Sequence, residues 1–341
     1  MKIRENVKIS ELTTMRLGGE AKFIIEVETK EDALEAVEFA DEKGLAFYFL
    51  GGGANSIGRD EGFSGAIILN KIRGAEVITE NNEEIVVKVG GGEVWDDFVK
   101  VMSLKGYSGI EAMAKIPGTV GAAPVQNIGA YGQEVSQTLE SVEVFDTLLG
   151  EYKEIKKGEM DFSYRHSIFN SGETAGRYFI LNCTFRLKKD KLKPPFYNSL
   201  QAYLDEHEIK DYTPENIYVA VADIREHKLP DPKKIASAGS FFKNIVLSDK
   251  EADEAEARGI QVYRTGIENS INTGWLLEQA GLKGKLFHGF RVSEKAALIL
   301  INESGESYKN LEVATKEISE IIFEKFGFRL EWEPVVIGEK K

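Results

Sequence analysis

Cysteine is nearly missing from this chain. Cys183 is the only one in 341 residues, so no intrachain disulfide can form. Its apolar surroundings, YFILNCTFRL, predict a buried structural thiol. Histidine is scarce too. His166, His207, His227 and His288 are scattered, without the spacing to carboxylates or to the cysteine that a metal site requires. No apolar run approaches the length of a membrane span, and the opening MKIRENVKISELTT lacks the apolar stretch of a signal peptide; a cytoplasmic protein with no membrane insertion is expected. Positive charge is in deficit: 43 Lys and Arg stand against 56 Asp and Glu, for a formal net charge of −13. Nonspecific nucleic-acid binding draws its affinity from cations that neutralise phosphates, so that class is excluded. A local basic pocket for a phosphorylated small molecule is not. Internal repeats and low-complexity tracts are absent.

What is present is an ordinary globular composition, 42% hydrophobic and 29% charged, long enough for two or three domains. FIIEVE, AFYFL and AIILN read as strands around a helix, EDALEAVEFADEKG, whose apolar residues are Leu34, Val37 and Phe39 and whose stop is Gly44. Further on, AEVITE and EIVVKV alternate as strands, VWDDFVKVMSLKG is helical, SVEVFDTLLGEYKEI is a hairpin and RYFILNCTFRL a strong strand. Strand excess with glycine-rich connections predicts α+β rather than a doubly wound parallel sheet. The charged, proline-ended KKDKLKPP at 188–195 is the expected domain boundary. Helices then return. TPENIYVAVADIREHK has Thr213 as a cap and Pro214 at the first helical position, and SDKEADEAEARG, NTGWLLEQAG and SYKNLEVATKEISEIIFEKFG follow. ALILIN and LEWEPVVI are read as strands.

Two glycine-rich stretches suggest a large phosphorylated cofactor. GGGANSIG at 51–58 follows a strand, but it has neither the Gly-Lys-Ser/Thr of a Walker A loop nor the spacing of a Rossmann fingerprint. Alone it reads best as a tight turn. IPGTVGAAPVQNIGAYG at 116–132 shifts that balance. Its small residues leave backbone amides open along a path too long and apolar for a plain loop, and Gln126 and Asn127 offer amides to a flat heterocycle. Three distant scraps carry reactive groups: Arg165 in YRHSIF, Ser240 in AGSFFKN and Glu333 in LEWEPVVIG. A guanidinium, a hydroxyl and a carboxylate brought to one pocket can stabilise an anionic intermediate and protonate it. Taken singly each has a plainer reading, as a surface ion-pair residue, a turn residue after Gly239 and an exposed strand residue, and Glu331 rivals Glu333.

PGTVGAAPVQNIGAYG, YRHSIF, LPDPK, AGSFFKN, GWLLEQAGLKG and LEWEPVVIG, in this order, resemble the UDP-N-acetylmuramate dehydrogenase family, also called UDP-N-acetylenolpyruvoylglucosamine reductases, from about Thr13 to Gly338. The resemblance implies a two-lobed FAD-binding region of the vanillyl-alcohol-oxidase type over 15–187, its lobes about 1–70 and 71–187. A C-terminal α+β substrate-binding region over 188–341 completes the chain. It implies noncovalent FAD held by Gly51, Gly52, Gly53, Ala54, Asn55, Ser56, Pro117, Gly118, Val120, Gly121, Asn127, Gly129 and Ala130. NADPH is implied as hydride donor, and a monomer acting on a small nucleotide sugar as the working form. Many relatives have serines at Ala122 and Ala123, which puts two hydroxyl contacts to FAD in doubt. Tyr164, Tyr197, Lys228 and Asn244 fall at substrate-contact positions, and PPFYNSL marks the longer family type, with Tyr197 as a lid. By the same resemblance Arg165 and Glu333 stabilise the intermediate and Ser240 donates its proton. Two other readings remain: an oxidase of the same fold that uses molecular oxygen, and an inactive flavin- or nucleotide-sugar-binding protein.

Overall fold

In the computed structural model, residues 1–264 and 269–338 are described. The first lobe is a four-stranded sheet. Strand β1 (Lys2–Lys8) pairs antiparallel with β2 (Glu20–Val27), and helix α1 (Lys30–Glu42) leads to β3 (Phe47–Leu50). Strand β4 (Ser56–Ile57) lies just past the first glycine cluster, and β5 (Phe63–Asn70) runs parallel to both β2 and β3. Helix α1 starts on a capping box, the Thr29 hydroxyl accepting from the Asp32 N–H and the Asp32 carboxylate accepting from the Thr29 N–H. Its buried face is Ala33, Ala36, Val37 and Ala40. Leu34 and Phe39, expected to lead that face, lie at its half-buried flanks, because small alanines let the helix sit close to the sheet. β1 has no counterpart in the sequence reading. KIRENVK is an edge strand, mostly exposed and rich in charge, a composition that keeps an edge from pairing with other chains.

The second lobe is an antiparallel sheet in the order β11-β10-β12-β7-β6. In chain order it has β6 (Ala75–Glu80), β7 (Glu84–Gly90), helix α2 (Trp95–Leu104), the short hairpin β8 (Gly129–Ala130) and β9 (Gln133–Glu134), then β10 (Leu139–Asp146), β11 (Glu151–Lys156) and β12 (Tyr178–Lys188). Helices α3 (Asn198–Glu206) and α4 (Pro214–Lys228) follow. Their apolar faces, among them Leu200, Leu204, Ile217 and Val221, enter the core of this second lobe beside Trp95, Phe98 and Phe185. Each such side chain contributes roughly 1.5–3 kcal/mol. The 188–195 stretch therefore does not divide the packing. By its contacts, everything to the end of α4 belongs with the sheet before it. α4 begins as read, with the Thr213 hydroxyl accepting from the Asn216 N–H at 3.2 Å and Pro214 in the first turn.

The C-terminal lobe holds two small sheets, β13-β19-β18-β17 and β14-β16-β15. Its elements are β13 (Ser237–Ser240), β14 (Ile245–Leu247), α5 (Asp249–Ala257), β15 (Val262–Arg264), β16 (Asn269–Ile271), α6 (Thr273–Gln279), β17 (Leu286–Phe287), β18 (Phe290–Val292), β19 (Ile299–Asn302) and α7 (Tyr308–Phe326). Met15, Leu17 and Ile57 from the first lobe complete its core, and Asp60 accepts from the first N–H groups of α7, Tyr308 at 2.7 Å and Lys309 at 3.1 Å. The expected strand in LEWEPVVI shrinks to β20 (Val335–Val336), which pairs parallel with β4. That pairing brings the end of the chain back to the first glycine cluster.

Candidate active site

A cleft of about 980 Å³, counting the space at its open mouth, lies where the two N-terminal lobes meet. Gly51, Gly52, Gly53, Ala54, Asn55, Ser56, Pro117, Gly118 and Gly121 line it, as do Thr119, Ala122, Ala123 and Gln126. Larger side chains, among them Tyr48, Trp95, Tyr178 and Phe179, complete the lining, but along the glycine cluster the wall is backbone for a steric reason. A Cβ on Gly51 would stand 2.8 Å from both the Ala122 Cβ and the Thr119 Oγ1. Gly53 has φ +65°, and a Cβ there would meet the Leu12 carbonyl oxygen at 1.9 Å. The remaining sequence-predicted cofactor residues are not among the lining residues. Val120 is fully buried in the core of the second lobe. Asn127, with φ +43°, is buried too. Its amide donates to Glu134 Oε2 at 2.9 Å and to the Ser163 carbonyl at 3.3 Å, and accepts from the Ser136 N–H at 3.1 Å. That side chain is occupied in fastening the 117–132 segment to the loop carrying Tyr164 and Arg165. Gly129 and Ala130 form β8.

Thr119 was missed by sequence reasoning, hidden inside a run valued for its glycines. Its Oγ1 is buried in the cleft wall without a hydrogen-bond partner. An orphan hydroxyl beside a wall of glycines is what a polar ligand in close contact with backbone would satisfy, and the cleft fits an extended cofactor on that ground. No group of three or more His, Cys, Asp or Glu suited to a metal ion occurs among the described residues.

At the cleft edge three chain segments converge. The Asn55 amide donates to Gln126 Oε1 at 2.7 Å and to the Glu333 carbonyl at 3.3 Å, and the Gln126 amide reaches the same carbonyl at 3.4 Å. The Glu333 N–H donates to the Phe241 carbonyl at 2.9 Å, and Val335 N–H to the Asn55 carbonyl at 2.9 Å. Glu333 is thus held between cofactor-side residues and the segment beginning at Ser240. Its carboxylate accepts from Arg165 Nε at 2.7 Å, across 168 residues of sequence. Both side chains are mostly buried, at 22% and 12% exposure. Glu331, the rival, points away: it is 76% exposed and meets Lys243 at 3.3 Å.

Arg165 sits in the left-handed region at φ +53°, a costly conformation for a branched-off long side chain that persists only where its surroundings fix it. They do: Ser163 and His166 exchange backbone bonds around it, and the Asn170 amide donates to its carbonyl at 3.0 Å. Burial opposes its charge, but Glu333, Tyr164 and Glu134 outweigh that and raise its pKa above the ordinary value. Ser240 ends β13, half-buried, opposite Ile299. Asn244 accepts from the Thr273 N–H at 3.3 Å. Lys228 is the exposed last residue of α4. Tyr197 precedes α3, is 53% exposed and meets the ring of Tyr131 edge to face at 5.7 Å.

Comparison with known proteins adds two family matches along the chain. Residues 21–156 match the FAD binding domain family. Residues 231–337 match the UDP-N-acetylenolpyruvoylglucosamine reductase C-terminal domain, a span that begins after α4, where the packing also divides. The chain is 35% identical over 337 residues to UDP-N-acetylenolpyruvoylglucosamine reductase of Bdellovibrio bacteriovorus, covering 98% of this chain and 99% of that one. It is 36% identical to the protein of the same name from Ralstonia nicotianae, over 95% of this chain and 96% of that one. Among solved structures, the UDP-N-acetylenolpyruvylglucosamine reductase of Thermus caldophilus shares the fold, with a TM-score of 0.67 at 24% identity, over 98% of this chain and 99% of that one.

Proposed function

The chain belongs to the UDP-N-acetylenolpyruvoylglucosamine reductase family, and we propose that it is an FAD-dependent oxidoreductase of peptidoglycan precursor synthesis. It reduces the enolpyruvyl ether of UDP-N-acetyl-3-O-(1-carboxyvinyl)-glucosamine to UDP-N-acetylmuramate. NADPH is the hydride donor, and the enzyme works as a cytoplasmic monomer. The observation that carries the chemistry is the Arg165–Glu333 pair, tied to the residues that line the cleft by the Asn55 and Gln126 side-chain amides, which donate to the Glu333 carbonyl.

FAD, when bound in the cleft, supplies the hydride that the terminal vinyl carbon accepts. The protein must then manage negative charge at the adjacent carbon and its carboxylate. Glu333 engages the Nε edge of Arg165 and so aims the terminal nitrogens of the guanidinium toward a substrate carboxylate, which a planar fork grips well. Glu333 acts through this partner: it orients the cation, and it sits in place to follow the charge on Arg165 as the substrate carboxylate gains density. Ser240 Oγ delivers a proton to the carbon that has become basic. A hydroxyl is a weak acid, yet an enolate-like carbon is basic enough to take its proton. Tyr164 packs on the Arg165 guanidinium, 5.4 Å from ring centre to Cζ. Tyr197, Lys228 and Asn244 hold the nucleotide sugar, Tyr197 closing over it from the start of α3.

Separate measurement of the two half-reactions tests this. Ser240→Ala, with flavin content equal to wild type, is expected to bleach normally with NADPH under anaerobic conditions and then fail to reoxidise when the sugar is added. Reoxidation at the wild-type rate removes the proton-donor role. Collapse of the bleaching step instead places Ser240 in the flavin site.

A further inference from the structure

Ser167 lies two residues past Arg165 and is completely buried. Its hydroxyl donates to the Val125 carbonyl at 2.7 Å and accepts from the Phe169 N–H at 3.1 Å. Its own N–H donates to the Asn170 amide oxygen at 3.0 Å, and the nitrogen of that same amide donates to the Arg165 carbonyl at 3.0 Å. On the other flank of Arg165, the Ser163 carbonyl accepts from the His166 N–H at 3.1 Å, closing the turn, and from the Asn127 amide at 3.3 Å. Glu134 Oε2 aims that amide, accepting from it at 2.9 Å. The turn that carries Arg165 in the left-handed region is therefore clamped on both sides.

Both clamps land on one short stretch of the cleft wall. Val125 takes the first and Asn127 the second, and Gln126 between them donates to the Glu333 carbonyl at 3.4 Å. Three successive residues thus hold both members of the ion pair, Arg165 through the outer two and Glu333 through the middle one. Val125 and Gln126 also line the cleft. The plain alternative is a loop that satisfies its own buried polar groups, as any buried loop must. Partners within the loop would meet that need, yet the Ser167 hydroxyl reaches across 42 residues of sequence and the Asn127 amide across 36. A left-handed arginine is costly, and a turn left free would relax and carry the guanidinium away from Glu333. We propose that Ser167 and Asn127 are positioning residues for the reduction, registering the Arg165 turn to the flavin-side wall so that the guanidinium stays on Glu333. The role given to Arg165 in that step rests on the reductase reading above.

The experiment pairs anaerobic rapid kinetics with proton–nitrogen NMR on the FAD-loaded enzyme, for wild type, Ser167→Ala, Glu134→Ala and Glu134→Gln, with flavin content and Tm as controls. Arg165→Lys, which has no guanidinium, assigns the Arg165 Nε–H signal by its disappearance. Ser167→Ala is expected to bleach with NADPH at the wild-type rate and to reoxidise at saturating sugar about ten- to a hundredfold more slowly. Its Arg165 Nε–H signal is expected to shift or broaden. Glu134→Ala, which frees the Asn127 amide, is expected to act in the same direction. Glu134→Gln keeps an acceptor for that amide and is expected to restore both rate and signal. A serine that serves only the packing of its loop would lower Tm and leave the rate and the signal of the folded enzyme unchanged; that result overturns the proposal. An equal loss in both half-reactions also overturns it, and makes Ser167 part of the flavin wall itself. Should Ser167→Ala fail to fold, Ser167→Cys, a weaker donor of similar size, takes its place under the same criteria. Failure of the reductase reading looks different: wild type bleaches and is not reoxidised by the sugar. The Arg165 signal then decides alone, and an unchanged signal in the Ser167 and Glu134→Ala variants overturns the positioning role.

Discussion

Residues 51–56 and 117–126 build their side of the cleft almost without reactive side chains, whereas the chemistry proposed above rests on three, Arg165, Ser240 and Glu333. The first side works through shape: glycines packed where a Cβ would clash and one orphan hydroxyl on Thr119. The second works through charge: a buried ion pair 168 residues apart in sequence, one partner in a strained backbone conformation. The two kinds of site fail differently. A shape site loses its ligand when a methyl group is added. A charge site keeps its ligand and loses its rate when a single group is removed.

The largest expected effect follows from the charge side. Arg165→Ala leaves Glu333 without its partner and the substrate anion without its fork. Flavin content and bleaching by NADPH are expected to stay near wild type, while reoxidation by the sugar falls about 10²–10³-fold. Glu331→Gln, two residues from Glu333 but exposed, serves as the control and is expected to leave both half-reactions unchanged. Loss of flavin in Arg165→Ala would break the division between the two sides.

The shape side gives the next effect. Gly51→Val forces atoms into the space where even a Cβ meets Ala122 and Thr119 at 2.8 Å. Such overpacking costs about 1–3 kcal/mol, and here it falls on the surface that faces FAD. The expected result is FAD affinity lower by about tenfold or more, read by flavin fluorescence on dilution, with circular dichroism of the apoprotein unchanged. Tight FAD with slow sugar reduction would instead assign Gly51 to the chemistry.

The same contrast explains what could be read in the sequence. Glycine runs, strand alternation and the Thr213–Pro214 helix start are local signals, and each marked an element that is present. The Arg165–Glu333 pair has no local signal. Only the family motifs joined them, and the preference for Glu333 over Glu331 becomes physical only when β20 pairs with β4 and turns one carboxylate inward. Helices α3 and α4 were legible as helices but not as part of the second lobe, because the 188–195 stretch looks like a linker whichever side its helices pack on. Asn127 looked like a ligand amide and is a fastener.

The smallest effect concerns the tie between the lobes that form the shape side. Glu143 on β10 accepts from Lys88 at 2.6 Å and from Lys30, the first residue of α1 in the other lobe, at 2.9 Å. Burial works against its charge, but the two lysines prevail and lower its pKa from 4.5 to about 2. A carboxylate with a lowered folded-state pKa stabilises the fold fully above its unfolded value and loses that contribution as pH falls through the folded one. The window therefore runs from 4.5 down to about 2. Glu143 and its lysines are partly exposed, so screening reduces the contribution to about 1 kcal/mol. Glu143→Gln is expected to unfold more easily than wild type by that amount at neutral pH, with the gap closing as the solution is acidified through the window. Flavin, held between the two lobes, should leave wild type over the same range and show a flatter dependence in the variant. Denaturation curves and flavin fluorescence at matched pH values measure both. A gap that persists undiminished at the acid end would mean that the lysine pairs do not hold the lobes, and that the shape of the cleft rests on the other contacts between them: the apolar packing of Phe145, Phe179 and Leu181 on the first lobe and the Asn70–Ile180 and Tyr152–Lys30 hydrogen bonds.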